Sequence, residues 1–286
     1  MRMSTGLSRR EFLKAGMTAI LGSVLSGTGA LVYAGKIEPS WLDTTSVSIP
    51  IPHLPPALHD YHIVQVSDIH FDAQWMTAHR LQEIVAAINA LSPDAVVITG
   101  DFVSIWNLDC LNALDTSMRA LRAPHVIACL GNHDHRHNPL IIAGILEAAG
   151  VRVLQNESLT IEHRGARLCF AGLDDYLHHA ANLPLLLSRI PEDIPAILLA
   201  HEPDIADTTA KTRRFLLQLS GHSHGGQVIS PGGRPLVLPT MGKKYPLGLY
   251  RVQGMWQYTN RGVGMIPPRV RFNCRPEITS LRLVSA

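Results

Sequence analysis

The chain has 286 residues, 46% of them hydrophobic and 17% charged, which is the composition of a globular protein with one large domain or two small ones. The formal net charge of +2 is too small to indicate a nucleic-acid-binding surface, so that class of function is disfavoured. The sequence contains no internal repeat and no low-complexity tract.

The N-terminus has the features of an export signal. Residues 8–14 read Ser-Arg-Arg-Glu-Phe-Leu-Lys, and an uncharged run rich in Gly, Ala and Ser follows from Ala15 to Ala34. Paired arginines ahead of a weakly hydrophobic run are typical of a twin-arginine signal, and this segment closely resembles its consensus. We therefore expect the twin-arginine machinery to export the folded protein to the periplasm or the outer face of the cytoplasmic membrane.

The apolar run is about long enough to span a bilayer. It is either cleaved after Ala30 or Ala34, which we favour, or kept as an anchor that associates the protein with the membrane. Residues 1–45 are accordingly assigned to the signal and a linker, and residues 46–286 to the folded domain.

Strand and helix patterns alternate through the first half of the domain, after a Pro-rich segment from Ile49 to Pro56 that we interpret as a linker. The predicted strands are Tyr61 to Ser67, Ala95 to Thr99, and His125 to Leu130. Three helices are predicted. The first has an apolar stripe at Leu81, Ile84, Val85 and Ile88 and ends before Pro93. The second covers residues 107–121 with Leu108, Leu111, Leu114 and Met118 on one face, and the third runs from Ile141 to Ala149.

The second half has a different pattern. Leu159 to Ile161 and Arg167 to Ala171 predict a hairpin around Arg164-Gly165, and Pro195 to Ala200 and Phe215 to Leu219 predict further strands. Short strands and turns follow from Gln227 onwards. Alternating strands and helices predict a parallel α/β sheet, and the later pattern favours mixed sheets stacked face to face with helices outside.

Polar residues of a restricted kind follow the predicted strands. The five blocks are Asp68-Ile69-His70, Gly100-Asp101, Gly131-Asn132-His133-Asp134, His201, and Gly221-His222-Ser223-His224. Ligands bind beyond the carboxyl ends of strands in open α/β sheets, so these side chains are expected at one rim. On extended backbone, the two polar residues of Asp-x-His or His-x-His would share one face.

Imidazole, carboxylate and amide groups suit borderline divalent metals, and the lack of thiols among them argues against a structural zinc site. Taken in order, the five blocks closely resemble the signature of the calcineurin-like metallophosphoesterase family. The segments Thr259 to Gly264 and Asn273 to Glu277 look like the twin-arginine-exported bacterial phosphodiesterase subgroup. This resemblance implies an α/β fold in the form of a four-layer α-β-β-α sandwich with two mixed sheets.

The resemblance also implies the site. Asp68, His70 and His224 would bind one metal ion, Asn132, His201 and His222 would bind a second, and Asp101 would bridge them. The two divalent ions would be Mn, Fe or Zn, and a bridging hydroxide would attack the phosphorus atom. His133 would stabilise the transition state or protonate the leaving oxygen, and Asp134 would orient it.

We expect metal-dependent hydrolysis of a phosphoester, with a phosphodiester favoured. One alternative is a pyrophosphatase acting on a lipid-linked sugar nucleotide of the UDP-2,3-diacylglucosamine type, which export disfavours. Another is a metal-binding envelope protein without turnover, which the presence of His133 disfavours.

Other polar residues receive weaker assignments. His135, His137, His178 and His179 are interpreted as solvated loop residues, or else as the lining of the substrate entrance. Asp174-Asp175 is expected in a turn, with the site as the alternative, and Lys243, Lys244 and Arg261 are expected at the surface rather than on a substrate phosphate. Cys129 and Cys169 are expected as buried thiols, whereas a disulfide at Cys110 or Cys274 is left open.

Overall fold

The computed structural model describes residues 27–286, so the twin-arginine motif and most of the apolar run lie outside the described residues. Two six-stranded mixed sheets pack face to face. The first sheet has the order β1-β12-β2-β3-β4-β5 and the second has the order β10-β11-β9-β8-β7-β6. The strands are β1 (Asp43–Ile51), β2 (His62–Val66), β3 (Ala95–Thr99), β4 (His125–Cys129), β5 (Arg152–Val153), β6 (Glu157–His163), β7 (Ala166–Gly172), β8 (Ala196–Leu199), β9 (Leu217–Ser220), β10 (Gly248–Val252), β11 (Met255–Thr259) and β12 (Glu277–Ser285).

The alternation of side chains along each strand separates the layers. In β2, Ile63 points into the space between the sheets while Val64 and Val66 face the outer helices, and β3 repeats the pattern. The helices over the first sheet are Ala78–Ala90, Leu108–Arg119 and Pro139–Ala148. The short helices Leu183–Ser188 and Ala206–Thr209 cover the second sheet. The predicted four-layer sandwich is therefore confirmed.

Most predicted strands and helices are present within a few residues of the expected bounds, but the Pro-rich linker is wrong. Ile49, Pro50 and Ile51 belong to β1, which pairs in parallel with β12 at the edge of the first sheet. An edge strand tolerates proline because its outer N–H groups have no partner strand. Leu108, expected on the buried helix face, is 72% exposed at the helix start.

The segment before β1 contacts the domain. Residues 27–40 are helical, with a π-helical section at Tyr33–Ile37. The Ala34 carbonyl accepts a hydrogen bond from the Arg271 N–H at 2.8 Å, and the buried Glu38 carboxylate accepts from the Cys274 N–H at 2.5 Å. Within residues 27–286, no helix combines the length and apolar character needed to cross a membrane. The proposed division at residue 45 stays a prediction.

Arg271 fixes the loop that covers the Asp68-Ile69-His70 block. Its guanidinium is fully buried and donates to the carbonyls of Arg261, Gly262, Gly264 and Cys274. The same loop donates the Gly264 N–H to the Asp68 carbonyl at 2.8 Å. A side chain at Gly264 would collide with this carbonyl, since an added Cβ would lie 2.6 Å from it.

We predict that Arg271→Leu lowers the free energy of unfolding by about 3 kcal/mol or more, because each buried carbonyl left without a donor costs about 1–3 kcal/mol. Urea unfolding monitored by circular dichroism measures this change. The matched control is Arg122→Leu at an exposed position, where we expect a change within about 0.5 kcal/mol. Equal effects of the two substitutions would contradict the structural role of Arg271.

Candidate metal centre

The predicted metal ligands meet at one end of the sandwich, where strands of both sheets finish. They follow β2, β3 and β4 in the first sheet and β8 and β9 in the second. All of them are buried: Asp68, His70, Asp101, Asn132, His201, His222 and His224. Two sheets thus supply one cluster of carboxylate, amide and imidazole groups.

The backbone at several of these residues is left-handed rather than extended. The φ angles are 52° at Asp68, 49° at His70, 68° at His222 and 52° at His224. The prediction that Asp-x-His and His-x-His share a face of an extended strand is therefore wrong. Non-glycine residues in this region cost roughly 1–3 kcal/mol each and are typical of functional sites.

Asp68, His70 and His224 form the first group of donor atoms. The Nε2 atoms of the two histidines lie 3.0 Å apart, and Asp68 Oδ1 lies 3.8 Å from the first and 3.4 Å from the second. The Nδ1 atom of His70 bonds the Ser104 hydroxyl at 2.9 Å, which leaves Nε2 directed at the group. Ser104 was not predicted from the sequence to take part in the site.

His201, His222 and Asn132 form the second group together with Asp101. His201 Nδ1 donates to the Thr99 carbonyl at 2.6 Å, so its Nε2 faces Asp101 Oδ2 at 3.2 Å. His222 Nε2 donates to the Thr240 carbonyl at 2.8 Å, and its Nδ1 lies 3.0 Å from Asn132 Oδ1. Such hydrogen bonds from the far ring nitrogen are usual for metal-binding histidines, because they fix the tautomer and the ring orientation.

Asp101 lies between the two groups. Its Oδ2 atom is 3.2 Å from His201 Nε2 in the second group and 3.5 Å from His70 Nε2 in the first. Its Oδ1 atom accepts the His133 N–H at 2.7 Å. This position is the one that a bridging carboxylate requires.

The charges of the cluster fit a cation. Burial lowers the pKa of His70 to about 3 and that of His222 to about 4, so both imidazoles are neutral and carry a free lone pair. Burial opposes ionisation of Asp101, yet the adjacent His201 lowers its pKa well below the usual value. Among the described residues, His201 Nε2 makes no well-aligned hydrogen bond, although it faces the Asp101 carboxylate at 3.2 Å. Buried lone pairs and carboxylates in contact require positive charge, which divalent metals would supply.

Asp134 stabilises the loops of the site rather than orienting His133 as predicted. Its buried carboxylate accepts the N–H groups of Asp101 at 2.9 Å, Phe102 at 2.8 Å and Gly131 at 2.9 Å. It therefore ties together the two loops that carry Asp101 and Asn132. Among the described residues, no hydrogen bond joins Asp134 to the His133 imidazole, so it does not orient that ring.

A cavity of about 620 Å³ opens above the cluster, and its wall includes Asp101, Asn132, His133, Arg136 and His178. Arg136 Nη1 lies 3.4 Å from His133 Nε2, which places a cation next to the predicted catalytic imidazole. Arg136 was not predicted from the sequence to line the site. Its spacing three residues after His133 on the short helix Asn132–Arg136 is the signal that places both on one side.

Two further histidines pair with buried aspartates near the cavity, whereas a third lies outside the cavity wall. His178 lines the cavity, and its Nδ1 bonds the buried Asp175 at 2.7 Å, while His135 bonds the buried Asp174 at 2.8 Å. The entrance alternative thus holds for His178, and the two acids lie near the site. His137 instead stacks on Trp106, outside the wall of this cavity.

Three basic residues named in the sequence analysis lie away from the cavity wall. Lys243 is exposed, Lys244 pairs with Asp207, and Arg261 is held by the carboxylates of Asp43 and Glu277. All four cysteines are buried free thiols, so neither Cys110 nor Cys274 forms a disulfide.

Comparison with known proteins agrees with this geometry. The profile of the family described as "Calcineurin-like phosphoesterase" matches residues 61–226. The chain is 35% identical to the metallophosphoesterase YkuE of Bacillus subtilis, over 98% of each protein. It is 29% identical to the phosphodiesterase YaeI of Escherichia coli, over 97% of this chain and 100% of YaeI.

A further relative is the UDP-2,3-diacylglucosamine pyrophosphatase LpxG of Chlamydia trachomatis, at 26% identity over 95% of this chain and 98% of LpxG. The family profile covers more than half of the chain, and the YkuE similarity extends over nearly all of it. The chain has a sandwich of two mixed sheets with buried clusters of candidate metal ligands at their shared end. It belongs to the calcineurin-like phosphoesterase family and is a metal-dependent hydrolase.

Proposed function

We propose that the protein hydrolyses phosphodiesters with two divalent metal ions, Mn, Fe or Zn. The observation that carries this proposal is the convergence of buried acids and imidazoles at the floor of a cavity that also contains a guanidinium. A phosphodiester carries one negative charge, which a cationic floor and Arg136 would attract. The similarity to the phosphodiesterase YaeI supports the choice of a diester.

Each ion has a set of donors. Asp68, His70 and His224 would hold one ion, Asn132, His201 and His222 would hold the other, and Asp101 would contact both. When bound, such ions polarise phosphoryl oxygens and lower the pKa of water, so that a nucleophile is available at neutral pH.

The protein's own contribution to the reaction comes from the cavity wall. His133 is half-buried there, with its backbone N–H fixed by Asp101 Oδ1, and its imidazole would donate a hydrogen bond or a proton to an ester oxygen. Arg136 would hold the non-bridging phosphate oxygens. Asp134 would keep the Asp101 and Asn132 loops at their spacing.

The first test is metal addition to stripped protein with bis(p-nitrophenyl) phosphate as substrate. We expect Mn, Fe or Zn to restore hydrolysis, and Asp101→Asn to lower kcat/KM by more than about 100-fold, since losing even an outer contact of a metal ligand costs about 10–100-fold. Release of p-nitrophenolate and metal analysis measure both effects. Full activity of Asp101→Asn would refute its position between the metal ions.

His133 and Asp134 are adjacent residues with separable predicted effects. We expect His133→Ala to lower kcat by about 10²–10⁴-fold with unchanged metal content, because it removes an acid–base group only. Asp134→Ala should instead weaken metal affinity by about 10–100-fold, because three loop N–H groups lose their acceptor. Metal titration separates the two. Loss of metal in His133→Ala would contradict the assignment.

We also propose that the protein acts outside the cytoplasm after twin-arginine export, with membrane association if the apolar run is retained. The Ser-Arg-Arg-Glu-Phe-Leu-Lys segment supports this proposal. Arg9→Lys with Arg10→Lys should leave most of the protein in the cytoplasm, because that route reads the arginine pair. Immunoblots of cell fractions measure the distribution, with Arg2→Lys as the matched control. Unchanged export of the double variant would overturn the proposal.

A second candidate function is cleavage of a pyrophosphate bond in a lipid-linked sugar nucleotide, which the similarity to LpxG favours. Hydrolysis of UDP-2,3-diacylglucosamine with release of UMP, faster than hydrolysis of simple diesters, would select it.

A further inference from the structure

An apolar groove opens beside the catalytic cavity. Its volume is about 370 Å³, which is within the range of roughly 300–1,000 Å³ for ligand pockets. The groove and the cavity share His224, Pro239, Ile266 and Pro267 in their walls. A ligand whose phosphate lies at the metal centre can therefore extend into the groove.

The groove presents hydrocarbon to solvent. Val228, Leu236, Val237, Ile266 and Val270 line it, and two of these are open to water, with Leu236 65% and Val237 76% exposed. Apolar surface concentrated at the edge of a catalytic cavity is typical of a binding site rather than of chance exposure.

The polar side chains in the groove wall have partners already. The Gln227 amide donates to the Ile266 and Pro268 carbonyls and accepts the Ile266 N–H, and the Ser223 hydroxyl donates to the Pro246 carbonyl. His224 belongs to the metal-binding group. The other ring nitrogen of His224, Nδ1, makes no hydrogen bond within residues 27–286, but it is buried away from solvent. A sugar or a base in this groove would find neither the Gln227 amide nor the Ser223 hydroxyl free for a hydrogen bond, whereas an alkyl chain needs none.

The walls of the groove are held in place. Gln227 ties the 266–270 segment to the floor, and the Leu236 N–H bonds the Val228 carbonyl at 2.9 Å to hold the opposite wall. Gly226, with φ of 77°, allows the close approach of this wall, since an added Cβ would lie 2.7 Å from the Pro235 side chain. These contacts fix the spacing of the two walls.

The N-terminal helical segment lies next to the groove. The Ala34 carbonyl bonds the N–H of Arg271, the neighbour of Val270 in the groove wall, and the Tyr33 ring meets the Phe272 ring with centroids 6.1 Å apart. Ala34 is also the last residue of the apolar run that begins at Ala15. The chain thus enters the domain beside the groove.

We propose that this groove holds a hydrocarbon chain of an amphiphilic phosphodiester whose phosphate binds at the metal centre. The inference rests on the proposed phosphodiesterase function and adds the substrate class. Water attacks the phosphorus atom, and the bond from phosphorus to the oxygen of the leaving alcohol breaks. The leaving oxygen takes one proton of the attacking water. The alkyl phosphate that remains keeps its chain in the groove.

The test compares methyl p-nitrophenyl phosphate with decyl p-nitrophenyl phosphate below its micelle concentration. We expect kcat/KM to be at least about tenfold higher for the decyl ester, a gain that burial of about two methylene groups provides. The variant Leu236→Asp/Val237→Asp should remove most of this preference and leave methyl ester hydrolysis unchanged. Leu140→Asp, at a residue 76% exposed on the helix Pro139–Ala148, is the matched control.

Equal kcat/KM for the two esters, or a preference that survives in the double variant, would overturn the proposal. So would a dimer in solution that the double variant dissociates without a change in preference, because the groove would then bind a second copy of the chain.

Calorimetry with decyl phosphate and methyl phosphate tests the groove without turnover. We expect at least about tenfold tighter binding of decyl phosphate to the metal-loaded protein, and loss of that difference in the double variant. If neither ester is hydrolysed, the phosphodiesterase function fails, and this binding comparison still decides the groove. Equal binding of the two phosphates would overturn the proposal.

Discussion

The burial of Asp68 and Asp101 among imidazoles is the constraint on which the site depends. Two carboxylates removed from water are stable only with compensating positive charge and with their remaining lone pairs satisfied. The surrounding contacts meet the second condition, since Asp68 accepts the His222 N–H and Asp101 accepts the His133 N–H. Divalent metal ions would meet the first condition. Burial of these carboxylates therefore costs free energy in the metal-free protein, and metal binding would offset that cost.

Direct hydrogen bonds fasten the two sheets together at this end. Gln65 on β2 donates to the Thr99 hydroxyl in its own sheet and to the Ser220 carbonyl at the end of β9 in the other. His201, which follows β8, donates to the Thr99 carbonyl. Sliding of one sheet over the other would break these bonds and separate the ligands, so the sandwich core and the ligand spacing are parts of one structure.

The four layers of the fold, and the identity of the residues that cluster at the end of the sandwich, could be predicted from the sequence. Runs such as Ala95 to Ile98 are apolar throughout because both faces of the strand are covered, and this pattern does not depend on distant parts of the chain. The strand β1 was missed because Pro50 indicates an irregular segment unless the strand is known to lie at an edge. Edge position is a property of the whole sheet.

The contacts behind the ligands could not be predicted for a similar reason. Ser104 bonds His70 and Asp134 bonds the Asp101 loop, each across more than thirty residues of sequence. The dipeptide Asp174-Asp175 carries no motif, and its pairing with His135 and His178 exists only after folding. The spacing of apolar residues indicates which face of a helix or strand is buried. Polar pairs of this kind depend instead on how the loops approach one another in the folded protein.

The position of β12 has a consequence for synthesis. This strand lies between β1 and β2, so the first sheet stays divided until residues 277–285 have been made. The loop that covers Asp68 leads into the same strand, and Asn260 in that loop bonds the Thr279 hydroxyl. A nascent chain at that stage has all seven candidate metal ligands but no finished scaffold to hold them. Stable metal binding is therefore expected only after β12 has been made, and deletion of residues 277–285 would remove an internal strand of the sheet.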